Sequence, residues 1–378
     1  MRKNVLILGH NDATQFIDIY NQYTRLFDEQ QYDVTVAYLT GTPSDDTKQR
    51  TLTPNVLFLN QSKKSIRALK IGPIRKLLAL CREKRFEIVI CHRYKPSYIM
   101  MWVAQFIKIP ALIYVMHELG TISSLNRQLL IAALGRKNML FAGVSNAVRD
   151  DMRKDLWSVP KDRVTTLYNM IDIDLTEPQF LSREEARAQL NLPNDAFVFG
   201  NIARLVRNKD QESLINAFSI VKSSCPNAKL IILGKGELEP KLKTQVASLN
   251  LTEDVLFTGF VPNGFRYMKA FDCFVLSSTQ EAFGRVLLEA MIAKIPIIAT
   301  AVNGIPEVVD SVGTLITPKN PAEFAIAMQH IYKTSQEKRD ELSEKAYQHA
   351  QTNFSIPAFQ QEFWQLPLIK KTLRTIEE

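Results

Sequence analysis

Cysteine is scarce in this chain and scattered. Four cysteines, Cys81, Cys91, Cys225 and Cys273, stand among 378 residues, with no paired metal-ligand spacing, and three of them lie in apolar runs. That pattern predicts reduced thiols and speaks against a disulfide framework or a cysteine-based metal site. Long apolar runs are missing too. The run after Arg2 and Lys3 ends at Gly9, too short for a signal peptide. Residues 99–116 are interrupted by Gln105, Lys108 and Pro110, so a helix up to Lys108 and a strand after Pro110 explain them better than a membrane span. Glycine is absent where a dinucleotide loop needs it: after Gly9 come His10, Asn11 and Asp12, with no G-x-G-x-x-G, which counts against a dehydrogenase.

What remains is an ordinary globular composition, 46% hydrophobic and 23% charged, on a chain long enough for two domains. Charge is unevenly placed. Residues 1–170 hold 25 Lys and Arg against 14 Asp and Glu, a net of +11; the remainder holds 22 against 25, a net of −3, and the two sum to +8. Nine of the cations lie in residues 63–85, which open on Lys63 and Lys64 and close on Lys84 and Arg85. Ile66, Leu69, Ile74, Leu77, Leu78 and Cys81 give this segment an apolar side, and Gly72-Pro73 breaks or kinks its helix. A solvated helix packed on a sheet is one reading, and an anionic membrane surface is the other. Nucleic acid is disfavoured because no aromatics interleave the cations.

Short apolar strands alternate with helical segments along the whole chain. Strands are expected at 5–9, 34–39, 87–91, 111–116, 139–143 and 164–167, with Gly41 to Asp46 a polar loop. A second series follows at 197–202, 229–233, 255–257, 273–276 and 295–300. Ser182 and Glu185 form a capping box for a helix over 181–190, and Asn320-Pro321 opens another. This alternation is the mark of a parallel α/β sheet. The most informative stretch is 273–309. A buried strand gives way to a polar loop with Glu281, Phe283 and Gly284, then a helix with Glu289, a second strand, and a turn at Asn303, Gly304 and Pro306. The loop lies at the carboxyl end of its strand, where open parallel sheets bind ligands, and a helix start behind Gly284 offers a seat for phosphate. The plainer alternative has Glu281 capping that helix and Glu289 on its solvated face.

Two glutamates flanking seven residues around Ala-Phe-Gly, followed by Gly304-Ile305-Pro306-Glu307, resemble the retaining family 4 glycosyltransferases. Further matches are Ala203-Arg204-Leu205 with Lys209, Gly234-Lys235-Gly236, Val144-Ser145, and Tyr168-Asn169-Met170-Ile171-Asp172, where Met170 replaces a glycine. The resemblance covers nearly the whole chain and implies the GT-B fold, two Rossmann-like domains facing across a cleft. It implies an acceptor domain over 1–170, a nucleotide-sugar donor domain over 171–355, and a helix over 356–378 returning to the first domain. It further implies catalytic roles for Glu281, His117, Arg204 and Lys209, and donor contacts from Arg204, Lys209, Gly234, Val261, Phe283, Gly284, Arg285 and Glu289. Arg204 and Lys209 would meet the pyrophosphate, Glu289 the ribose hydroxyls, Glu281 the sugar, and His117 the reacting centre. The expected activity is transfer from a nucleotide-sugar, a UDP-sugar favoured, to a lipid-linked or lipopolysaccharide-type acceptor. Retention by front-face displacement is expected, with no metal or other cofactor. A cytoplasmic protein peripheral on the inner face of the membrane is expected from the basic segment. A sugar-nucleotide epimerase of the same fold and a non-catalytic nucleotide-sugar-binding protein are the alternatives.

Overall fold

Thirteen strands of three to seven residues, each followed by helix or turn, make up the frame of the computed structural model, which describes residues 2–61 and 71–377. The chain divides into two compact units, Met1–Asn169 with Ile356–Glu378, and Met170–Ser355. In the first unit the strands are β1 (Lys3–Gly9), β2 (Tyr32–Tyr38), β3 (Asn55–Phe58), β4 (Ile88–His92), β5 (Ala111–Met116), β6 (Met139–Gly143) and β7 (Val164–Thr166). They pair in parallel in the order β3-β2-β1-β4-β5-β6-β7. The second unit holds β8 (Phe197–Ile202), β9 (Ala228–Leu233), β10 (Val255–Gly259), β11 (Cys273–Leu276), β12 (Ile297–Thr300) and β13 (Thr314–Ile316), all parallel, in the order β10-β9-β8-β11-β12-β13.

Both sheets are therefore wound outward from their middle, the first from β1 and β4 and the second from β8 and β11. The sequence dictates this through continuous apolar strands, which helices must cover on both faces. Val5, Leu6, Ile7 and Leu8 of β1 have no exposed surface, and the same holds for Leu230, Ile231 and Ile232 of β9. Each such aliphatic side chain contributes about 1.5–3 kcal/mol relative to exposure. All four cysteines are buried and unpaired as disulfides.

Two local expectations change. The segment read as a polar loop from Gly41 contains the start of a helix, Asp45–Arg50, because the Ser44 side chain accepts from the Thr47 N–H and Asp45 and Asp46 favour its positive end. The turn expected at Gly304 and Pro306 is the start of a five-residue helix, Ile305–Val309, since proline suits a first helical turn. The capping box at Ser182 and Glu185 forms as expected, with bonds of 3.2 and 3.0 Å.

Of the basic segment, residues 62–70 lie outside the described residues, and with them Lys63, Lys64, Arg67 and Lys70. From Ile71 to Lys84 the chain is helical, with Pro73 in the first described turn. Pro73, Leu77 and Cys81 form its buried stripe, whereas Arg75, Lys76, Arg82 and Arg85 are exposed. Among the described residues, no helix is long and apolar enough to cross a membrane. Helices Ile356–Gln365 and Pro367–Glu377 belong to the first unit: Phe359 and Phe363 are buried there, and Phe359 packs edge-on against Tyr23 at 5.1 Å.

One tie in the second unit was not legible as such in the sequence. Arg187, 1% exposed, donates to the Ala270, Pro193, Asn194 and Ala196 carbonyls and to Asp272 at 2.7 Å. Asp272 precedes β11 and also accepts from Arg183 and the Val198 N–H, at 2.7 Å each. Breaking such a buried pair costs about 3–5 kcal/mol, so this network fixes the strand that delivers the Glu281 loop.

Candidate active site

In the second unit β8 and β11 are neighbours, and their crossovers leave in opposite directions. At such a switch point the loops beyond the carboxyl ends part and open a crevice. The loop after β8 carries Arg204 and Lys209, and the loop after β11 carries Glu281. Hydrogen bonds tie the two loops. The Thr279 N–H donates to the Asn208 carbonyl at 2.8 Å, the Ser277 hydroxyl to the Lys209 carbonyl at 2.8 Å, and the Asn208 side chain to the Gln280 carbonyl at 3.2 Å.

Across this seam the Lys209 ammonium forms an ion pair with the Glu281 carboxylate, their side chains 14% and 17% exposed. Glu281 therefore does not cap the following helix, whose N-cap is Gly284, at φ 87. Arg204 is exposed, and its guanidinium has no hydrogen-bond or ion-pair partner among the described residues. The seam thus presents one neutralised pair, with Arg204 and Arg207 exposed and without side-chain hydrogen-bond or ion-pair partners among the described residues. Charge of that sign and exposure suits an anionic ligand group.

The loop after β11 is held from its other side. The Glu281 N–H donates to the Asn303 side chain at 3.2 Å, the Gly304 N–H donates to the Glu281 carbonyl at 3.1 Å, and the Thr300 hydroxyl donates to the Ser278 carbonyl at 2.5 Å. A side chain at Gly304 would run into the Ala282 carbonyl oxygen. The glycine of the Gly-Ile-Pro-Glu turn is thereby explained by close approach to the Glu281 loop. Phe283, 2% exposed, packs edge-on to Phe354 at 5.7 Å and anchors the start of helix Arg285–Ile292. Arg285 and Glu289 stand four residues apart on that helix, both half-buried, so Glu289 is not on a fully solvated face.

Gly234 supports the other wall. Its N–H donates to the Gly259 carbonyl at 2.8 Å, and the Leu205 N–H reaches the Lys235 carbonyl at 3.1 Å, which presses this turn against the Arg204 loop. Val261 follows the edge strand β10, three places from β11 in the sheet, and is half-buried. The second unit thus brings together Arg204, Lys209, Glu281, Gly284 and Gly234 in adjoining loops, while Val261 sits beyond an outer strand.

His117 belongs to the first unit, just past β5. Its Nε2 lies 3.0 Å from Nδ1 of His92, the last residue of β4. His92 is 1% exposed, with the Tyr20 ring 5.1 Å away and the Tyr23 ring 4.5 Å away and edge-on. Burial first, and the neighbouring His117 second, hold the His92 pKa well below the ordinary histidine value, so His92 is neutral at pH 7. Sequence reasoning gave His92 no role. The available signal was its position at the end of a central strand, one strand from His117.

Two family models match the chain, "Glycosyltransferase Family 4" over residues 21–175 and "Glycosyl transferases group 1" over residues 182–349. The chain thus carries a glycosyltransferase family 4 domain followed by a glycosyl transferases group 1 domain. It shares 28% identity over 232 residues with the Campylobacter jejuni N-acetylgalactosamine-N,N'-diacetylbacillosaminyl-diphospho-undecaprenol 4-alpha-N-acetylgalactosaminyltransferase, 60% of each chain. The matched regions span 34–60% of the length of the first curated relatives. Among solved structures, a glycosyltransferase from Rickettsia africae superposes with a TM-score of 0.83 at 16% identity, covering 99% of both chains. Anabaena HepE, solved with UDP and glucose, gives 0.77 at 22% identity over 99% of this chain and 100% of that one. These likenesses show the GT-B fold, with its two parallel-sheet units.

Proposed function

We propose that this glycosyltransferase moves a sugar from a nucleotide-sugar, a UDP-sugar favoured, to a lipid-linked or lipopolysaccharide-type acceptor, with retention. The observation that carries the reading is the seam at the β8–β11 switch point, where Arg204 stands exposed beside the Lys209–Glu281 pair. Departure of a nucleoside diphosphate develops negative charge on its oxygens. Preorganised cations lower that barrier more than any other single device. Arg204 and Lys209 are assigned to the pyrophosphate, together with the helix start behind Gly284 and the adjoining Phe283 and Arg285. Glu289 is assigned to the ribose hydroxyls and Glu281 to the sugar, with Gly234 and Val261 as further donor contacts. Because Lys209 already holds Glu281, it orients that carboxylate as well as supplying charge. His117 is kept as a candidate catalytic group of the first unit, to which the acceptor is assigned.

The relatives guide the rest. HepE was solved with UDP, and the Campylobacter relative is named for an acceptor on diphospho-undecaprenol. We infer the same ligand classes here, a metal-independent reaction, and attachment to the inner face of the membrane through residues 63–85. The test is incubation with a panel of UDP-, GDP- and ADP-sugars, scoring nucleoside diphosphate release with and without a chelator. Proton NMR of the product's anomeric centre reports the stereochemistry. Release with no sugar in the panel refutes the reading, and loss of release in chelator refutes metal independence. An inverted product refutes retention.

A further inference from the structure

The first unit has its own switch point, between β1 and β4, and a cavity of about 480 Å³ lies at the carboxyl ends of its strands. His10 follows β1, Arg93 and Lys95 follow β4, and His117 and Glu118 follow β5; Arg127 reaches in from the helix Leu125–Leu134. The volume is that of a small-ligand site. We propose that this cavity is an acceptor subsite that binds a phosphoryl group, a phosphate monoester or diphosphate carried by the acceptor. The proposal rests on the assignment of the acceptor to the first unit and deepens it.

Charge is the first ground. Arg93, Lys95 and Arg127 face one carboxylate, Glu118, which leaves a net of +2 on the lining. His10 adds nothing to this at pH 7. Burial, then the charges of Lys95 and Arg93, lower its pKa to about 4. Its Nδ1 is buried without a partner among the described residues. A dianionic phosphoryl group has the sign and charge that such a lining attracts, whereas a neutral polyol draws nothing from it.

Backbone geometry is the second ground. Arg93 has φ 73 and ψ 164, a region that is essentially glycine's. The strain is locked in place: the Arg93 N–H donates to the Val115 carbonyl at 2.8 Å, and the Ser97 hydroxyl donates to the Arg93 carbonyl at 2.8 Å. Strain of this kind persists where the surroundings over-determine it, and it clusters at ligand clamps. Its result here is an arginine, not a glycine, at the mouth of the switch point.

Preorganisation is the third ground. The Arg93 guanidinium lies 4.9 Å over the Phe16 ring and donates to Glu118 at 2.8 Å. Arg127 stacks 4.4 Å over the Tyr94 ring and donates to the Thr121 carbonyl. Two guanidinia held flat in this way present forks that match phosphate oxygens. The ten-residue helix Tyr94–Val103 begins at the same cavity and adds its positive end.

Calorimetric titration of the full chain with inorganic pyrophosphate, in saturating UDP, tests this. Binding is expected to persist beside UDP and to weaken about tenfold or more in Lys95→Gln and in Arg127→Gln, as for loss of one charge-assisted bond. Arg204→Ala is expected to leave this titration unchanged. Circular dichroism checks that Arg127→Gln folds, and Lys95→Gln decides alone if it does not. Pyrophosphate binding that UDP abolishes, or that ignores Lys95→Gln, overturns the proposal. If UDP fails to bind while pyrophosphate still responds to Lys95→Gln, the donor reading falls and the phosphoryl site stands. Competition by farnesyl diphosphate or by glucose 6-phosphate supports the acceptor role, and the stronger competitor names a lipid-linked or a soluble source. Competition by neither marks an adventitious ion only and overturns the acceptor role.

Discussion

Arg204→Ala separates catalysis from folding more cleanly than any other change in the second unit. The guanidinium is exposed and has no partner among the described residues. The backbone carbonyl of Arg204, which accepts from the Gln211 side chain at 3.1 Å, survives the substitution. Its effect on stability should stay within about 0.5 kcal/mol, roughly 1–2 °C in melting temperature. If the guanidinium neutralises a departing diphosphate, its loss raises the barrier by about 2.7–4 kcal/mol, or ~10² to 10³ in turnover. Lys209→Ala carries the same catalytic expectation but disturbs Glu281 as well. That pair is part-shielded, so breaking it costs more than the ~0.2–1 kcal/mol of a surface pair and less than the ~3–5 kcal/mol of a buried one. Steady-state rates with the best donor of the panel, beside thermal melts, read both variants. An Arg204→Ala enzyme within threefold of wild-type turnover refutes the phosphate assignment.

Glu289→Gln should weaken the bare nucleoside diphosphate about tenfold or more in calorimetry, while Glu281→Gln keeps that affinity and loses turnover; the reverse pattern exchanges their roles. Acid should destabilise the first unit. His10 and His92 have folded pKa values below the unfolded one, so the unfolded state binds more protons. Stability is then full above about pH 6.5 and falls as pH drops below it. Melting between pH 5 and 8 should show this slope, flattened in His92→Gln, and an unchanged slope removes His92 as a source. Anionic vesicles should co-sediment the protein at low salt, less so for Arg75→Glu/Arg82→Glu with unchanged circular dichroism; wild type left in the supernatant rules out the attachment.

Much of the second unit could be read in the sequence because its signals are local. The strand Cys273–Leu276, the Glu281 loop and the following helix lie within twenty residues, and each has the periodicity of its element. The pairing of Lys209 with Glu281 could not be read that way. Each residue stands out singly, but 72 positions separate them, and only the adjacency of β8 and β11 joins them. Arg187 was hidden for a related reason. A charged residue inside a seven-residue helix reads as solvated, and its partner Asp272 is 85 positions away. In the first unit the cations and histidines at the strand ends and on the helix Leu125–Leu134 fall in no recurring spacing, so His92, Arg93 and Arg127 gave no motif. The backbone strain at Arg93 is a property of conformation that composition does not register.

The two units share one winding, 3-2-1-4-5-6 in each sheet before the first adds a seventh strand, yet their switch points carry different chemistry. Winding determines where loops part; side chains in those loops determine what enters. This also resolves the +11 excess of residues 1–170 into parts that behave differently. Cations such as Arg75 and Arg82 on the exposed side of the helix Ile71–Lys84 face solvent, where ~0.1 M salt screens them beyond about 10 Å. Arg93 and Arg127 are half-buried and stacked on aromatic rings, so salt reaches them far less. One class of charge can act only by long-range attraction and fades with ionic strength. The other acts at hydrogen-bond distance and persists, so a single net-charge figure describes neither.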